Sequence, residues 1–261
     1  MVIDPTPADL AVTGLLYAVV VASSLKEGLA IERQLTVAAV RMGAQLLLVG
    51  YLIGLLFAVD RWYVVLGALL AMSLYAARAG LARVKGAAPG LYAPMWIGVA
   101  GGTILTTAVV TGGVLKIDPW YRPEVLIPLG GMILGNAMNG GALAADRLHA
   151  ELKGRRDEIE TLLALGLDYP RAAHEAKRAA VRAALIPTIN SMVTVGLVHL
   201  PGVMVGQMLG GVDPVTAAKY QFVIMLMVAT SVTLASVLFA NRALSVYFTR
   251  HHQLRHELFG P

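Results

Sequence analysis

Apolar residues fall in seven long runs, at about 9–25, 35–58, 62–81, 93–115, 124–144, 186–211 and 219–248, with short polar segments between them. Each run is close to the roughly 20 residues that an α-helix needs to cross a hydrocarbon core. The pattern predicts an all-α, polytopic membrane protein with about seven transmembrane helices. The last run is long enough to tilt, or to continue past the bilayer as a cytosolic helix. The sixth is interrupted near its centre by His199-Leu200-Pro201-Gly202, where proline removes a backbone donor and kinks a helix. A broken but spanning helix is the preferred reading of that segment. A re-entrant hairpin would reverse the final helix and export the basic tail RHHQLRH.

One polar stretch is large. Residues 145–185 are charged and rich in helix formers, with Gly166 and Tyr169-Pro170 dividing them into two helical pieces. The region is too small for a catalytic domain and suits a docking platform beneath the membrane. Lys and Arg counts orient the chain. With the N-terminus outside and the C-terminus cytosolic, the inner loops and tail hold Lys26, Arg33, Arg78, Arg83, Lys85, Arg147, Lys153, Arg155, Arg156, Arg171, Lys177, Arg178, Arg182, Arg242, Arg250 and Arg255. The outer segments hold only Arg61, Lys116, Arg122 and Lys219.

Composition agrees. Hydrophobic residues make up 57% of the 261 and charged residues only 14%, with a mean hydropathy of +0.69. A water-soluble chain carries roughly 25% charged residues. The net charge of +5 could suggest nucleic acid, but the basic residues sit in the loops, so no nucleic-acid partner is expected. There is no cysteine, which excludes disulfides, thiolate metal sites and cysteine nucleophiles. The start, MVIDPTPADL, has no basic n-region and carries Asp4 and Asp9, so no cleavable signal is expected.

No enzymatic motif is present: neither a G-x-x-x-x-G-K-[ST] loop, nor a G-x-S-x-G elbow, nor H-E-x-x-H. No cofactor is expected. His251, His252 and His256 read as a solvated basic tail rather than metal ligands, and His149 and His174 read likewise. Arg41 snorkels to the interface or pairs internally. No acidic residue falls at mid-membrane depth, which lowers the case for an ion-driven transporter. Segments five and six carry the amides and hydroxyls Asn136, Asn139, Asn190, Ser191, Thr194 and Gln207, with His199 beside the break. A translocation path is expected there, lined by Met132, Asn136, Asn139, Asn190, His199 and Met204. Gly202, Gly206 and Gly210, and the pair Gly131 and Gly135, are spaced for helix packing. Met132, Met138, Met192, Met204 and Met208 read first as adaptable packing, and whether any binds metal stays open.

The run Ile127-Pro128-Leu129-Gly130-Gly131-Met132-Ile133-Leu134-Gly135-Asn136-Ala137-Met138 resembles the I-P-x-x-G-M-x-x-G-N-A-M pattern of the FetB/YbbM permeases, the UPF0014 family. Arg182 to Pro187, Gly196-Leu197-Val198, Leu200-Pro201-Gly202, Met204, Asp213-Pro214 and Lys219-Tyr220-Gln221 continue the likeness, which covers nearly the whole chain. The resemblance implies a single permease domain over 1–261 that pairs with a separate ATP-binding cassette subunit. Bacterial members are described as iron exporters, and plant relatives are linked to aluminium tolerance and nucleotide-sugar transport. The family supplies no substrate-binding residues to carry over. Glu160-Thr161-Leu162-Leu163-Ala164-Leu165-Gly166 also keeps the Glu-to-Gly separation of the E-A-A-x-x-x-G docking loop of importer permeases, though Thr161 and Leu162 replace its alanines. Glu160, Leu163, Leu165 and Gly166 are therefore the expected ATPase-coupling residues. The expectation is a homodimer in the plasma (inner) membrane of seven-helix subunits, exporting a metal ion such as iron or a related small solute. An ATPase-independent transporter or channel, and a non-transporting scaffold subunit, are the alternatives.

Overall fold

A computed structural model describes residues 6–59, 61–84 and 86–259. Asp4 and Lys85, which entered the charge and signal arguments, lie outside the described residues. Among those residues the chain is helical and forms two units, Met1–Val59 and Asp60–Pro261.

The first unit consists of α1 (Pro7–Lys26) and α2 (Glu32–Val59). Thr6 caps α1 through a reciprocal pair: its hydroxyl accepts from Asp9 N–H, and the Asp9 carboxylate accepts from Thr6 N–H. The helix ends where Gly28 turns left-handed (φ +62°) and Leu29 N–H reaches back to Ser24 C=O. Ser24 then donates to Glu32 Oε1 at 2.9 Å, tying the two helices across the turn. No described residue of α2 is buried. A helix of 28 residues that is apolar around its circumference is built for lipid rather than water.

The second unit holds the remaining helices: α3 (Trp62–Leu81), α4 (Tyr92–Ala108), α5 (Pro123–Gly154), α6 (Arg156–Ala164), α7 (Tyr169–Ala172), α8 (His174–Thr194), α9 (Gly202–Leu209) and α10 (Pro214–Tyr247). α4 runs on into a π-helical turn over Val109–Val114. Four helical stretches in the two units, α2, α3, α4 with its π-turn, and α10, are long and apolar enough to cross a membrane by themselves. α5 carries its apolar run from Pro123 and continues unbroken into the polar region as far as Gly154.

α10 is the axis of this unit, packing against α4, α5, α8 and α9. It meets α4 with backbone against backbone. A Cβ added at Gly98 would lie 2.6 Å from Ala235 O, and one at Gly102 would lie 2.7 Å from Ser231 O. Only glycine permits that approach. α8 contributes a seam of small side chains at four-residue spacing, Ala176, Ala180, Ala184 and Thr188, all buried. The core runs continuously from Val99 and Met95 down through Leu148, Leu152, Tyr247 and Phe259. The polar region is thus rooted in the same core as the apolar helices.

One expected break is found here and one expectation changes. The sixth apolar run is not one helix: its first part is the end of α8 and its last part is α9, with Val195–Pro201 as irregular chain between them. The break opens at Gly196 (φ +83°) and closes at Pro201, which precedes the first residue of α9. The 145–185 region, expected as two pieces, holds four: the end of α5, then α6, α7 and the start of α8. Gly154-Arg155 supplies a break that was not anticipated. Tyr169-Pro170 opens a helix instead of ending one, because Asp168 caps it by accepting from Arg171 N–H and proline suits the first turn.

Candidate functional site

A cavity of about 270 Å³ lies where α5, α8, α9 and α10 meet. Antiparallel pairing of α8 with α10 sets its depth. Lys177 near the start of α8 donates to Asn241 Oδ1 near the end of α10 at 3.2 Å, while Ala184 to Ser191 share the cavity with Gln221 to Val228. α8 ends at Thr194, leaving the first turns of α10 beyond its reach. α9 covers them: Pro201, Gly202 and Val203 line the cavity beside Gln221, and Leu209 connects to Pro214 through four residues. α8 and α9 thus both pack on α10, with the cavity between the end of one and the start of the other. The turn is closed locally, by Gly196 N–H to His199 C=O at 2.9 Å and by Thr194 Oγ1 with His199 Nδ1 at 3.4 Å.

Of the six residues expected to line a path, Met132, Asn136 and Asn139 line this cavity; Asn190, His199 and Met204 do not. Asn190 is exposed on the opposite side of α8 from Thr188, and His199 serves the turn. The residues that replace them are Thr188, Ser191 and Gln221. Their signal in the sequence was helical spacing: Thr188 and Ser191 lie three apart, on the side that continues the alanine seam of α8. Asn136 Nδ2 donates to Met132 C=O at 2.8 Å, one turn back on its own helix. Asn139 Oδ1 accepts from the exposed Arg83 at 3.4 Å.

The expected packing glycines divide similarly. Gly131 faces Met72 of α3, but a Cβ added at Gly135, Gly202 or Gly206 would meet no described atom within 4 Å, and one at Gly210 would meet only its own helix.

The second element of the site is the polar end. α6 stops in a left-handed turn at Gly166 (φ +91°), with Gly166 N–H bonded to Leu163 C=O and Leu167 N–H to Leu162 C=O. Leu165 projects from this turn, 73% exposed, while Leu163 is half-buried against the core. Glu151 holds the α5–α6 joint, receiving Arg147 at 2.6 Å and Arg155 at 2.7 Å. The Arg155 hydrogen bond draws its carboxyl below the usual range, against the opposing effect of burial.

The tail is folded onto this surface through its apolar residues, while His251, His252 and His256 themselves stay exposed, as the solvated reading expected. Phe248 pairs with Leu254 across a short turn. Leu254 and Phe259 are buried. His252 Nδ1 accepts from Tyr169 N–H at 3.1 Å, and His256 Nε2 lies 2.8 Å from Glu160 Oε1. His149 is half-buried between Tyr247 and Phe259. Tyr169 stacks on Phe248. Aromatic residues at 247, 248 and 259 were the overlooked signal, since a freely solvated tail has no use for them. His174 is exposed, as expected. Among the described residues no three His, Cys, Asp or Glu side chains gather into a metal-binding group.

Comparison with known proteins places this architecture. The model of the family described as "Uncharacterised protein family (UPF0014)" matches residues 7–248. The chain belongs to the UPF0014 family. It is 37% identical over 228 residues to the UPF0014 membrane protein slr1647 of Synechocystis, covering 87% of this chain and 88% of that one. It is 33% identical to the Escherichia coli protein named "Probable iron export permease protein FetB", covering 95% of each. Protein ALUMINUM SENSITIVE 3 of Arabidopsis thaliana is 28% identical, covering 91% of this chain and 85% of its own. No solved structure matches the chain. This UPF0014 member is thus an α-helical, polytopic membrane protein. The stretches that carried the resemblance, far apart in sequence, converge on the cavity: Met132 and Asn136 from the first, Pro187 from the second, Pro201-Gly202 and Gln221 from the last.

Proposed function

We propose that this UPF0014 protein is the membrane-spanning permease subunit of an ABC-type transporter, exporting a metal ion such as iron or a related small solute. One observation carries the reading. A mainly apolar cavity that carries the polar side chains of Asn136, Asn139, Thr188, Ser191 and Gln221 sits where the helical run breaks between α8 and α9, and α10 runs without a break from that cavity to the folded polar end. Interrupted helices at membrane depth expose backbone groups that regular helices use up, which is why transport sites form at them. The name of the E. coli relative supports the same class.

In this reading ATP is hydrolysed on a separate cassette subunit, and residues 145–185 with the folded tail form its docking face. The chain crosses the inner membrane seven times, α8 and α9 making one crossing, with the N-terminus outside and the C-terminus inside. Two copies pair. Leu165 enters the ATPase surface as an apolar knob, Gly166 allows the turn beneath it, and Glu160, bridged to Arg156 and His256, holds α6 in place. Gly166→Trp or Glu160→Arg is expected to uncouple the ATPase from the permease without unfolding the chain. Stimulation of the purified ATPase by the reconstituted permease, beside the permease's own melting curve, reads the effect. If both variants stimulate as the parent does, the docking face lies elsewhere.

A further inference from the structure

Ile159 and Ala172 are buried, and no residue between them is. The turn at Leu165-Gly166 therefore lies on a stretch with slight apolar anchorage of its own, since Leu162 and Leu163 reach the core only in part. The tail grips this stretch at both feet. On the α6 side His256 Nε2 lies 2.8 Å from Glu160 Oε1. On the α7 side His252 Nδ1 accepts from Tyr169 N–H at 3.1 Å, and the two rings lie 5.3 Å apart. These contacts bracket the turn. The tail that makes them is itself fixed, by buried Leu254 and Phe259 and by Arg255 N–H bonded to Tyr247 C=O at 2.9 Å.

The backbone of His252 is an independent observation. Its φ of +58° is left-handed, a region that glycine enters freely and most other residues only at a cost. The tail reverses there, with His252 N–H bonded to Thr249 C=O at 3.1 Å. Glycine would make that reversal most easily. The side chain that stands in its place is the one that reaches Tyr169, and strain kept at such a position points to a task for the side chain. Because a backbone N–H can only donate, Nδ1 is the unprotonated nitrogen of this ring.

We infer that the tail is a strap that positions the Leu165-Gly166 turn, with His252 and His256 as its two positioning residues. The inference rests on the transport reading only for what docks on that turn. Its test needs no ATPase, so the two can fail separately. Hydrogen–deuterium exchange is followed over residues 162–169 in the full-length protein in lipid nanodiscs. In a first double variant, His252→Gly with His256→Ala, exchange over this stretch is expected to be about three- to tenfold faster, while the core of α10 keeps the parent's rate. The glycine relieves the left-handed backbone and the alanine removes only an exposed pair, so the melting temperature should stay within about 2 °C of the parent's. A second double variant, His252→Asn with His256→Gln, should restore the parent's exchange. Asparagine tolerates the left-handed region and offers Oδ1 where Nδ1 stood, and the glutamine amide can donate to Glu160 as Nε2–H does. Parent-like exchange in the first variant would overturn the inference, as would fast exchange in the second. A lower melting temperature with faster exchange across the whole polar end would also overturn it, since that pattern marks a general loss of packing.

Discussion

His149 shows how far a side chain's role depends on what folds against it. Between Tyr247 and Phe259 its ring is half-buried. Burial first, and the Lys153 ammonium second, hold its pKa below the ordinary 6.5, with Asp146 opposing. The unfolded chain therefore binds this proton more readily than the folded one. The stability that neutral His149 contributes is whole above pH 6.5 and is lost as the pH falls from there through the lowered folded value. His149→Gln is expected to flatten that loss. Between about pH 7.5 and pH 5 the parent should lose roughly 2–4 °C more in melting temperature than the variant, as followed by tryptophan fluorescence in detergent. Nothing local to the sequence distinguishes His149 from His174, which stays in solvent. The difference arises from Phe259, more than a hundred residues away. Gln221 was likewise legible only as part of a family pattern, because its place at the cavity exists only once α10 has been packed.

At the scale of elements, glycine spacing was readable and its meaning was not. Gly202, Gly206 and Gly210 share a face of α9, yet a Cβ added at Gly202 or Gly206 would meet no described atom within 4 Å. Gly98 and Gly102, at the same four-residue spacing, carry a backbone-to-backbone helix contact and were passed over. Spacing defines a face, while the partner is decided by tertiary packing. Gly98→Ala and Gly102→Ala should each destabilise the protein by about 1–3 kcal/mol, since the atoms met are backbone and cannot swing aside. Gly202→Ala and Gly206→Ala should leave the melting temperature of the isolated subunit unchanged. Helix existence was the most legible layer: all seven apolar runs are helical, and only the sixth is divided. The subdivision of 145–185 was harder to read, because capping by Asp168 and the pairing of Glu151 with two arginines decide where short helices start.

For the molecule as a whole, charge asymmetry yields a topology that can be tested cleanly, because the chain has no cysteine. Arg122→Cys and Arg171→Cys place single thiols at exposed positions in a proposed outer and a proposed inner segment. An impermeant maleimide should label the first in intact cells and the second only after permeabilisation; the opposite pattern would invert the proposed orientation. The glycine notch on α4 has one more consequence. Gln221 at the cavity and Tyr247 under the folded tail belong to one helix, about 40 Å apart along its axis. The contact with Gly98 and Gly102 falls on Ser231, Ala235 and Phe239, midway between them. With backbone against backbone at that midpoint and α5 and α8 packed along its length, α10 is a stiff element with little room to bend. The cavity wall and the surface beneath the tail are therefore two ends of one stiff body.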